Sequence, residues 1–333
     1  MAARPTQFKK PVSRSGSLFI WLLRTTLLWC IVVPVSAQDY PNRPIKMIVA
    51  EAPGSTQDIV ARLMAPEMSK VLGTPIVVEN KPGASSIIAF EYVANQSPPD
   101  GYTILVATVQ TLAITASTVK NLRFDPLKEL PPFIGLSEGR FVLGSSSTMP
   151  WKTFDEMITY SRANPGKLNY GAVNPLGQIY VELPLQSRGL TALHVPYSNG
   201  GNFIQAMLSG EVHVSVIPEA LALSFGDKYR VLVITGEARS PNYPGVPTFG
   251  EIGHPQLRGF TFSLNARTGT PRAVIDKLNA AASQTLRQPE IKANFTKRQW
   301  DIVEQTPEVA AKALVEQATF LSEIAKKAGI EPQ

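Results

Sequence analysis

The residues best suited to bind a small ligand form a polar turn between a strand-like segment and a helix-like segment. Residues 45–49 are apolar and rich in β-branched side chains, and residues 59–64 begin an amphipathic helical pattern. The turn between them contributes Ser55, Thr56, Gln57 and Asp58. Backbone N–H groups at the start of a helix lack partners, and the helix dipole is positive there. The spacing therefore predicts a site for a carboxylate or phosphate, although many α/β proteins leave such a junction unused.

Two later polar turns also follow strand-like segments, and a helix-like segment comes after the second of them. One follows the apolar residues 102–106, and the other follows the strand-like residues 168–172. Their polar residues are Thr108 and Gln110 in the first, and Asn174, Gly177 and Gln178 in the second. Ligands of open α/β sheets bind beyond the carboxyl ends of the strands. We therefore expect the three turns to meet at one ligand site.

The sequence contains no recognisable catalytic or metal-binding motif. Its three histidines are widely spaced and form no His-x-x-x-His pattern: they are His194, His213 and His254. There is neither a Gly-x-Ser-x-Gly elbow nor a phosphate-binding loop. Ser85, Ser146 and Glu51 are candidate nucleophiles for an enzyme, but no residue is identifiable as their base. The sequence therefore predicts a binding protein that is not an enzyme and needs no cofactor or metal ion.

The first 37 residues have the pattern of an export signal. Four basic residues precede an apolar run at 18–33, and small residues at 35–37 suit cleavage after Ala37. The alternative is an uncleaved membrane anchor. Arg24 divides the apolar run into pieces shorter than the roughly 20 residues that a spanning helix needs, which favours cleavage. We therefore expect a periplasmic protein.

Removing this leader changes the charge balance of the chain. The full sequence has 32 basic and 26 acidic side chains, a net charge of +6. The leader holds five of the basic residues and no acidic one, so 27 basic side chains remain against 26 acidic ones. A nucleic-acid partner is therefore not predicted. Cys30, the one cysteine, also lies in the leader, so we expect no disulfides and no thiol chemistry after cleavage. A monomer is expected as well.

Strand-like and helix-like segments alternate through most of the remaining chain. This alternation is typical of βαβ units and largely parallel sheets. The end of the chain differs, because three helical segments follow one another there, each with a proline near its first position. They cover residues 271–286, 289–298 and 307–328.

Two turn-rich stretches, near residues 124–138 and 250–259, are candidate crossings between domains. Two crossings would place both ends of the chain in one domain and its middle in the other. The sequence therefore predicts an α/β protein with two domains. The first domain comprises residues 38–137 with 258–333, and the second comprises residues 138–257.

Several short motifs occur in a fixed order along the chain. They include Pro53-Gly54 with Asp58, Val77-Val78-Glu79-Asn80-Lys81-Pro82-Gly83-Ala84, Pro99-Asp100-Gly101-Tyr102-Thr103, Asn164-Pro165-Gly166-Lys167-Leu168-Asn169-Tyr170, and His194-Val195-Pro196-Tyr197. In these motifs the chain resembles the periplasmic solute receptors of tripartite tricarboxylate transporters, also called Bug receptors. The resemblance covers essentially all of the chain after the leader.

The resemblance implies two α/β domains joined by two crossings, with mostly parallel sheets flanked by helices and a ligand cleft between the domains. Family members hold a carboxylate through N–H groups and hydroxyls of the first strand–helix turn and of the turn after Tyr170. On this chain the two anchors would be residues 55–58 and 174–178. Asp58 could contact the ligand or could instead stabilise only the start of the helix.

Three departures from the family pattern concern the ligand more than the fold. Glu51 stands where the family commonly has an aromatic residue, and Ser85 stands where glycine is common. A carboxylate at Glu51 would repel a bound carboxylate by about 1 kcal/mol in water. Either Glu51 points to solvent, or the ligand offers a cation, an amide or a hydroxyl on that side. Pro175 removes one N–H donor from the second anchor.

The resemblance implies a receptor that closes around a small organic acid, including dicarboxylates, and presents it to membrane transporter subunits. An alternative partner is a sensor kinase of a two-component system. Glu51 and Ser85 join the three polar turns as candidate ligand-binding residues.

Overall fold

The computed structural model of the protein describes Met1, residues 40–197 and residues 200–327. The predicted cleavage site and nearly all of the predicted leader therefore lie outside the described residues. No helix within the described ranges has the length and apolar character needed to cross a membrane.

Strands and helices alternate over most of the described chain. The strands are β1 Ile45–Val49, β2 Ile76–Asn80, β3 Thr103–Thr108, β4 Pro132–Gly139, β5 Phe141–Ser146, β6 Asn169–Ala172, β7 Leu193–Pro196, β8 Val214–Pro218, β9 Tyr229–Ile234, β10 Phe260–Ala266 and β11 Trp300–Gln305. The α-helices are α1 Thr56–Leu72, α2 Ile87–Glu91, α3 Val109–Thr118, α4 Pro126–Glu129, α5 Phe154–Ala163, α6 Pro175–Gln186, α7 Gly200–Ser209, α8 Glu219–Phe225, α9 Arg272–Leu286, α10 Pro289–Lys297 and α11 Pro307–Lys327. Short 3-10 turns at Ala84–Ser86 and Gly226–Lys228 and a π-turn at Tyr92–Gln96 complete the set.

The strands form two sheets, which we call the first and the second sheet. The first sheet has six strands in the order β11-β4-β10-β3-β1-β2, and the second has five in the order β7-β6-β8-β5-β9. Helices flank both sheets, so the predicted two-domain α/β fold is confirmed. The first sheet takes its strands from both ends of the described chain and the second from its middle. The exact domain limits, 38–137 with 258–333 and 138–257, remain a prediction.

The sheets are mixed, and the expectation of mostly parallel sheets is therefore wrong. Strand β1 pairs in parallel with β2 and β3, and β6 pairs in parallel with β7 and β8. The other pairs, β10 with β3 and β4, β11 with β4, and β5 with β8 and β9, are antiparallel. Strand β4 carries the chain out of the first sheet and β10 carries it back. Because the two strands lie side by side at the same crossing, they must run in opposite directions.

Strand β4 occupies residues that the sequence predicts to be turn-rich. The strand contains two glycines, and close packing explains both of them. A Cβ at Gly139 would lie 2.3 Å from the ring of Phe260, and one at Gly135 would lie 2.5 Å from the side-chain oxygen of Gln305. The neighbouring strands therefore approach β4 too closely for a side chain. The chain passes from β4 to β5 through a single residue, Arg140.

Three helices begin immediately or soon after parallel strands, at the strands' carboxyl ends. Helix α1 follows β1, α3 follows β3 directly, and α6 follows β6. Each has a polar N-cap whose side chain accepts a backbone N–H of the first turn: Ser55, Thr108 and Asn174. Helix α3 was not expected, because the sequence analysis treats residues 107–111 as an open turn. The three polar turns are thus the ends of strands and the first turns of helices.

Candidate functional site

A cavity of about 250 Å³ lies where residues of the two sheets face each other. Its polar wall comes from the first turns of α1, α3 and α6 and from the segment before α1. These residues are Glu51, Thr56, Thr108, Thr111, Asn174 and Gly177. Most of the remaining wall is apolar and includes Phe141, Tyr180, Phe203 and Phe260. This is the composition expected of a small-molecule site, in which a few polar groups orient a largely apolar ligand.

The start of α1 is organised by three side chains of its own turn. Ser55 caps the helix, since its hydroxyl accepts the N–H of Asp58 at 3.2 Å. The side-chain amide of Gln57 donates to Glu51 Oε1 at 2.8 Å. The N–H of Thr56 has no hydrogen-bond partner among the described residues. Helix α1 therefore offers one free amide to the cavity, in the first position of the helix.

Glu51 lines the cavity and does not point wholly to solvent. Burial raises the pKa of its carboxyl group, although hydrogen bonds from the Ser55 hydroxyl and from the backbone and side chain of Gln57 oppose this shift. Glu51 is also the one charged side chain among the described residues of the cavity wall. The electrostatics of the site therefore depend on this carboxylate and on backbone dipoles.

Asp58 stabilises this turn through hydrogen bonds and does not line the cavity. The side chain is 3% exposed, and its Oδ2 accepts the N–H of Gly54 and the guanidinium of Arg62, both at 2.9 Å. Its Oδ1 accepts the amide of Asn80 at 2.9 Å. Burial disfavours the charged form, but the hydrogen bonds outweigh it and hold the pKa of Asp58 below its ordinary value. Asp58 thus ties the turn before α1 to β2.

The start of α3 places one predicted residue at the cavity and directs the other away from it. Thr108 and Thr111 both line the cavity, and their hydroxyl oxygens are 2.6 Å apart. Gln110 is buried and accepts the N–H of Thr261 at 2.9 Å. It lines a different cavity of about 800 Å³ beside the crossings, near Arg140 and Arg258. The two cavities share no wall residue.

The start of α6 supplies the polar end of the cavity on the side of the second sheet. Asn174 accepts the N–H of Gly177 at 3.1 Å, and Pro175 has no N–H. The N–H of Leu176, which also lines the cavity, has no partner among the described residues. Gln178 turns away and donates to a ring nitrogen of His194 at 2.7 Å.

Ser85 is not brought to this cavity. It lies in the 3-10 turn at Ala84–Ser86, and the backbone of all three residues has positive φ. Such a run is unusual for residues other than glycine. Of the predicted site residues, the structure brings Glu51, Thr56, Thr108, Asn174 and Gly177 together around one cavity. Ser55 and Asp58 support them, and Gln57 holds Glu51.

The sequence analysis missed the apolar wall of the cavity. Phe141 and Phe260 begin the strands that follow the two crossings, and their rings are 4.9 Å apart. Tyr180 meets Phe141 edge to face at 5.5 Å between ring centroids. Helical spacing from Gly177 could have indicated Tyr180. No local pattern could have indicated that Phe141 and Phe260 meet, because well over a hundred residues separate them.

Residues at the starts of five helices line the cavity. The wall contains the N-cap or a first-turn residue of α1, α3 and α6, the first residue of α7, and Pro218 at the N-cap of α8. An anionic group would be stabilised there without a cationic side chain. No group of three or more histidine, cysteine, aspartate or glutamate side chains in the described ranges could hold a metal ion.

The comparisons with known proteins agree with this architecture. The sequence profile of the tripartite tricarboxylate transporter family receptors matches residues 60–330. The chain belongs to this family, and the predicted relationship to the Bug receptors is confirmed. It is a family of receptors.

Three solved structures illustrate the likeness. The periplasmic binding protein BugD is 26% identical, with a TM-score of 0.77 over 88% of this chain and 100% of BugD. Rpa4515 of R. palustris, solved with adipate, is 26% identical, with a TM-score of 0.80 over 89% of this chain and 100% of Rpa4515. MatC of Rhodopseudomonas palustris, solved with malate, is 29% identical, with a TM-score of 0.75 over 86% of this chain and 99% of MatC.

Proposed function

We propose that this protein is a periplasmic receptor that captures a small organic carboxylate in the 250 Å³ cavity and presents it to a tripartite transporter. The observation that carries the proposal is the pair of unpaired amides at Thr56 and Leu176. They begin helices packed on different sheets, and both lie in the wall of one cavity. A carboxylate-bearing ligand would bridge them.

Capture by closure follows from this arrangement. When groups on two domains contact one ligand, the ligand favours the closed state through contacts that the open state does not offer. The domains proposed are residues 38–137 with 258–333, and residues 138–257, with crossings near Arg140 and between β9 and β10. The leader proposed for residues 1–37 would direct the protein to the periplasm, where BugD also acts as a binding protein.

The carboxylates adipate and malate in the related structures support an organic acid as ligand. The family description supports membrane transporter subunits as the partner, in preference to a sensor kinase. No enzymatic step is proposed, because the matched family is one of receptors.

Thermal denaturation of the purified mature protein with a panel of carboxylates tests the proposal. A ligand present at a hundredfold excess over its Kd should add about 2.7 kcal/mol to the free energy of unfolding. The bound compound should be recovered unchanged after denaturation, as judged by mass spectrometry. If no carboxylate raises the melting temperature, or if the compound is recovered chemically altered, the proposal fails.

A further inference from the structure

Glu51 occupies the end of α1 where a ligand carboxylate would otherwise be held. Its Oε1 accepts the side-chain amide of Gln57 at 2.8 Å, and the Ser55 hydroxyl and the Gln57 backbone also hydrogen-bond this carboxyl group. The chain thus supplies an anion to its own helix N-terminus. A second carboxylate arriving from a ligand would compete for the same donors.

The surroundings of Glu51 would not neutralise a second negative charge. No lysine, arginine or histidine is among the described residues of the cavity wall. Most of the cavity wall outside its polar groups is aromatic and aliphatic, and includes Phe141, Phe260 and Ile217. In such poorly solvated surroundings two nearby carboxylates repel each other more strongly than in water. This end of the cavity therefore disfavours a ligand carboxylate.

The same end offers one hydrogen-bond acceptor and one donor. The acceptor is the Glu51 carboxylate, and the donor is the unpaired N–H of Thr56. A primary carboxamide satisfies both, because its NH₂ group donates and its carbonyl oxygen accepts. The opposite end, at α6, retains the free N–H of Leu176 and the positive end of the helix dipole, which suit a carboxylate.

We propose that Glu51 is a specificity-determining residue that makes this receptor prefer a carboxylate bearing a carboxamide at its other end over the corresponding dicarboxylate. The inference rests on the proposed function and adds the chemistry of the ligand's second end. Most of the remaining wall is apolar, which favours a largely hydrocarbon body for that ligand. Sites that hydrogen-bond one substrate group discriminate strongly against an analogue that leaves their own polar groups unpaired.

Matched pairs of compounds test this preference. Succinate, glutarate and adipate are compared with their monoamides by isothermal titration calorimetry at pH 7.5 and constant ionic strength. At the best chain length, the monoamide should bind the wild-type protein at least tenfold more tightly than the dicarboxylate. Glu51→Gln should reduce this ratio at least tenfold, because the amide side chain no longer repels a carboxylate.

Glu67→Gln is the matched control. Glu67 lies on α1 and pairs with Lys70, so this substitution also removes one negative charge, but at a position outside the cavity wall. The ratio of monoamide affinity to dicarboxylate affinity in Glu67→Gln should equal that of the wild-type protein. Circular dichroism and melting curves confirm that both variants are folded.

The results separate the two proposals. Equal or tighter binding of the dicarboxylate by the wild-type protein overturns the role of Glu51 and leaves the carboxylate receptor standing, and this comparison requires no variant. An unchanged ratio in Glu51→Gln also overturns that role. If neither the wild-type protein nor Glu51→Gln binds any member of the series, the proposed carboxylate receptor itself fails.

Discussion

At the scale of single residues, the N–H of Thr56 can be deleted without disturbing the helix that carries it. Proline is favoured at the first position of a helix, and Ser55 before it already has the extended backbone that proline requires, with φ −67° and ψ 167°. Thr56→Pro removes the unpaired N–H from the cavity. We expect ligand affinity to fall on the order of tenfold, the effect of one hydrogen bond, while the free energy of unfolding changes by less than about 0.5 kcal/mol.

Calorimetry measures the ligand affinity and urea denaturation measures the free energy of unfolding, both on the same preparation. Thr56→Ala is the control, since it removes the hydroxyl and keeps the N–H. Parallel losses of affinity and stability in Thr56→Pro would contradict the assignment of this amide to the ligand.

A substitution at Asp58 should reduce stability more than ligand affinity, because the hydrogen-bond partners of this side chain all belong to the protein. Asp58→Asn leaves Gly54, Arg62 and Asn80 without their buried charged acceptor. We expect urea denaturation to show a loss of about 2 kcal/mol in the free energy of unfolding, with a smaller change in the free energy of ligand binding.

The matched control for this substitution is Asp276→Asn. Asp276 pairs with Arg272 on an exposed helix surface, and such pairs contribute less than about 0.5 kcal/mol. Stability equal to that of the wild-type protein, together with lost binding, would instead identify Asp58 as a ligand contact.

At the scale of elements, the crossing between the sheets depends on the contact of β4 with β10. The ring of Phe260 lies where a Cβ of Gly139 would be, at 2.3 Å. Gly139→Ala must therefore displace the ring or separate the two strands. Overpacking of this kind costs about 1–3 kcal/mol, which a urea titration would detect.

Because Phe260 also lines the ligand cavity, Gly139→Ala should in addition weaken ligand binding. Gly245→Ala is the control: its backbone φ is not positive, and no atom lies within 4 Å of an added Cβ. Equal stability of the two alanine variants would show that the crossing accommodates a side chain, contrary to the packing seen here.

At the scale of the whole molecule, a partly buried histidine links stability to pH. Burial lowers the pKa of His213, and its Nδ1 accepts the N–H of Asn169 at 3.3 Å, which requires the neutral ring. A lowered pKa in the folded state means that the unfolded state takes up the proton first. The stabilising contribution is therefore complete above about pH 6.5 and is lost as the pH falls through the folded-state pKa.

The melting temperature of wild-type protein and of His213→Gln should be compared between pH 7.5 and pH 5. We expect the variant to lose less stability than the wild-type protein over this range, because one of the groups that protonate on unfolding is gone. The comparison with the variant is needed, since burial raises the pKa of Glu51 and Glu138 and these groups act in the opposite direction. Parallel curves for the two proteins would show that His213 titrates alike in both states.

The sequence alone predicted what is encoded over short distances along the chain. Strand β1, helix α1 and the polar turns that follow β1, β3 and β6 are indicated by hydrophobic periodicity and by capping residues within a few positions of one another. The motifs that carry the family resemblance are local in the same sense. For this reason the fold class, the receptor family and five residues of the cavity wall could be identified before the structure.

The tertiary structure decided what depends on residues far apart in sequence. Strand β4 pairs with β10, and Phe141 contacts Phe260, although each pair is far apart in the sequence. Gln110 and Gln178 point away from the cavity because they hydrogen-bond to partners outside their own segments. Glu51 illustrates the division. Its type and position marked it as a possible conflict with a bound carboxylate, but only packing around the start of α1 placed it against Gln57 in the cavity wall. Capping and periodicity act between neighbours in the chain, whereas the shape of a binding site is set by contacts that exist only after the chain has folded.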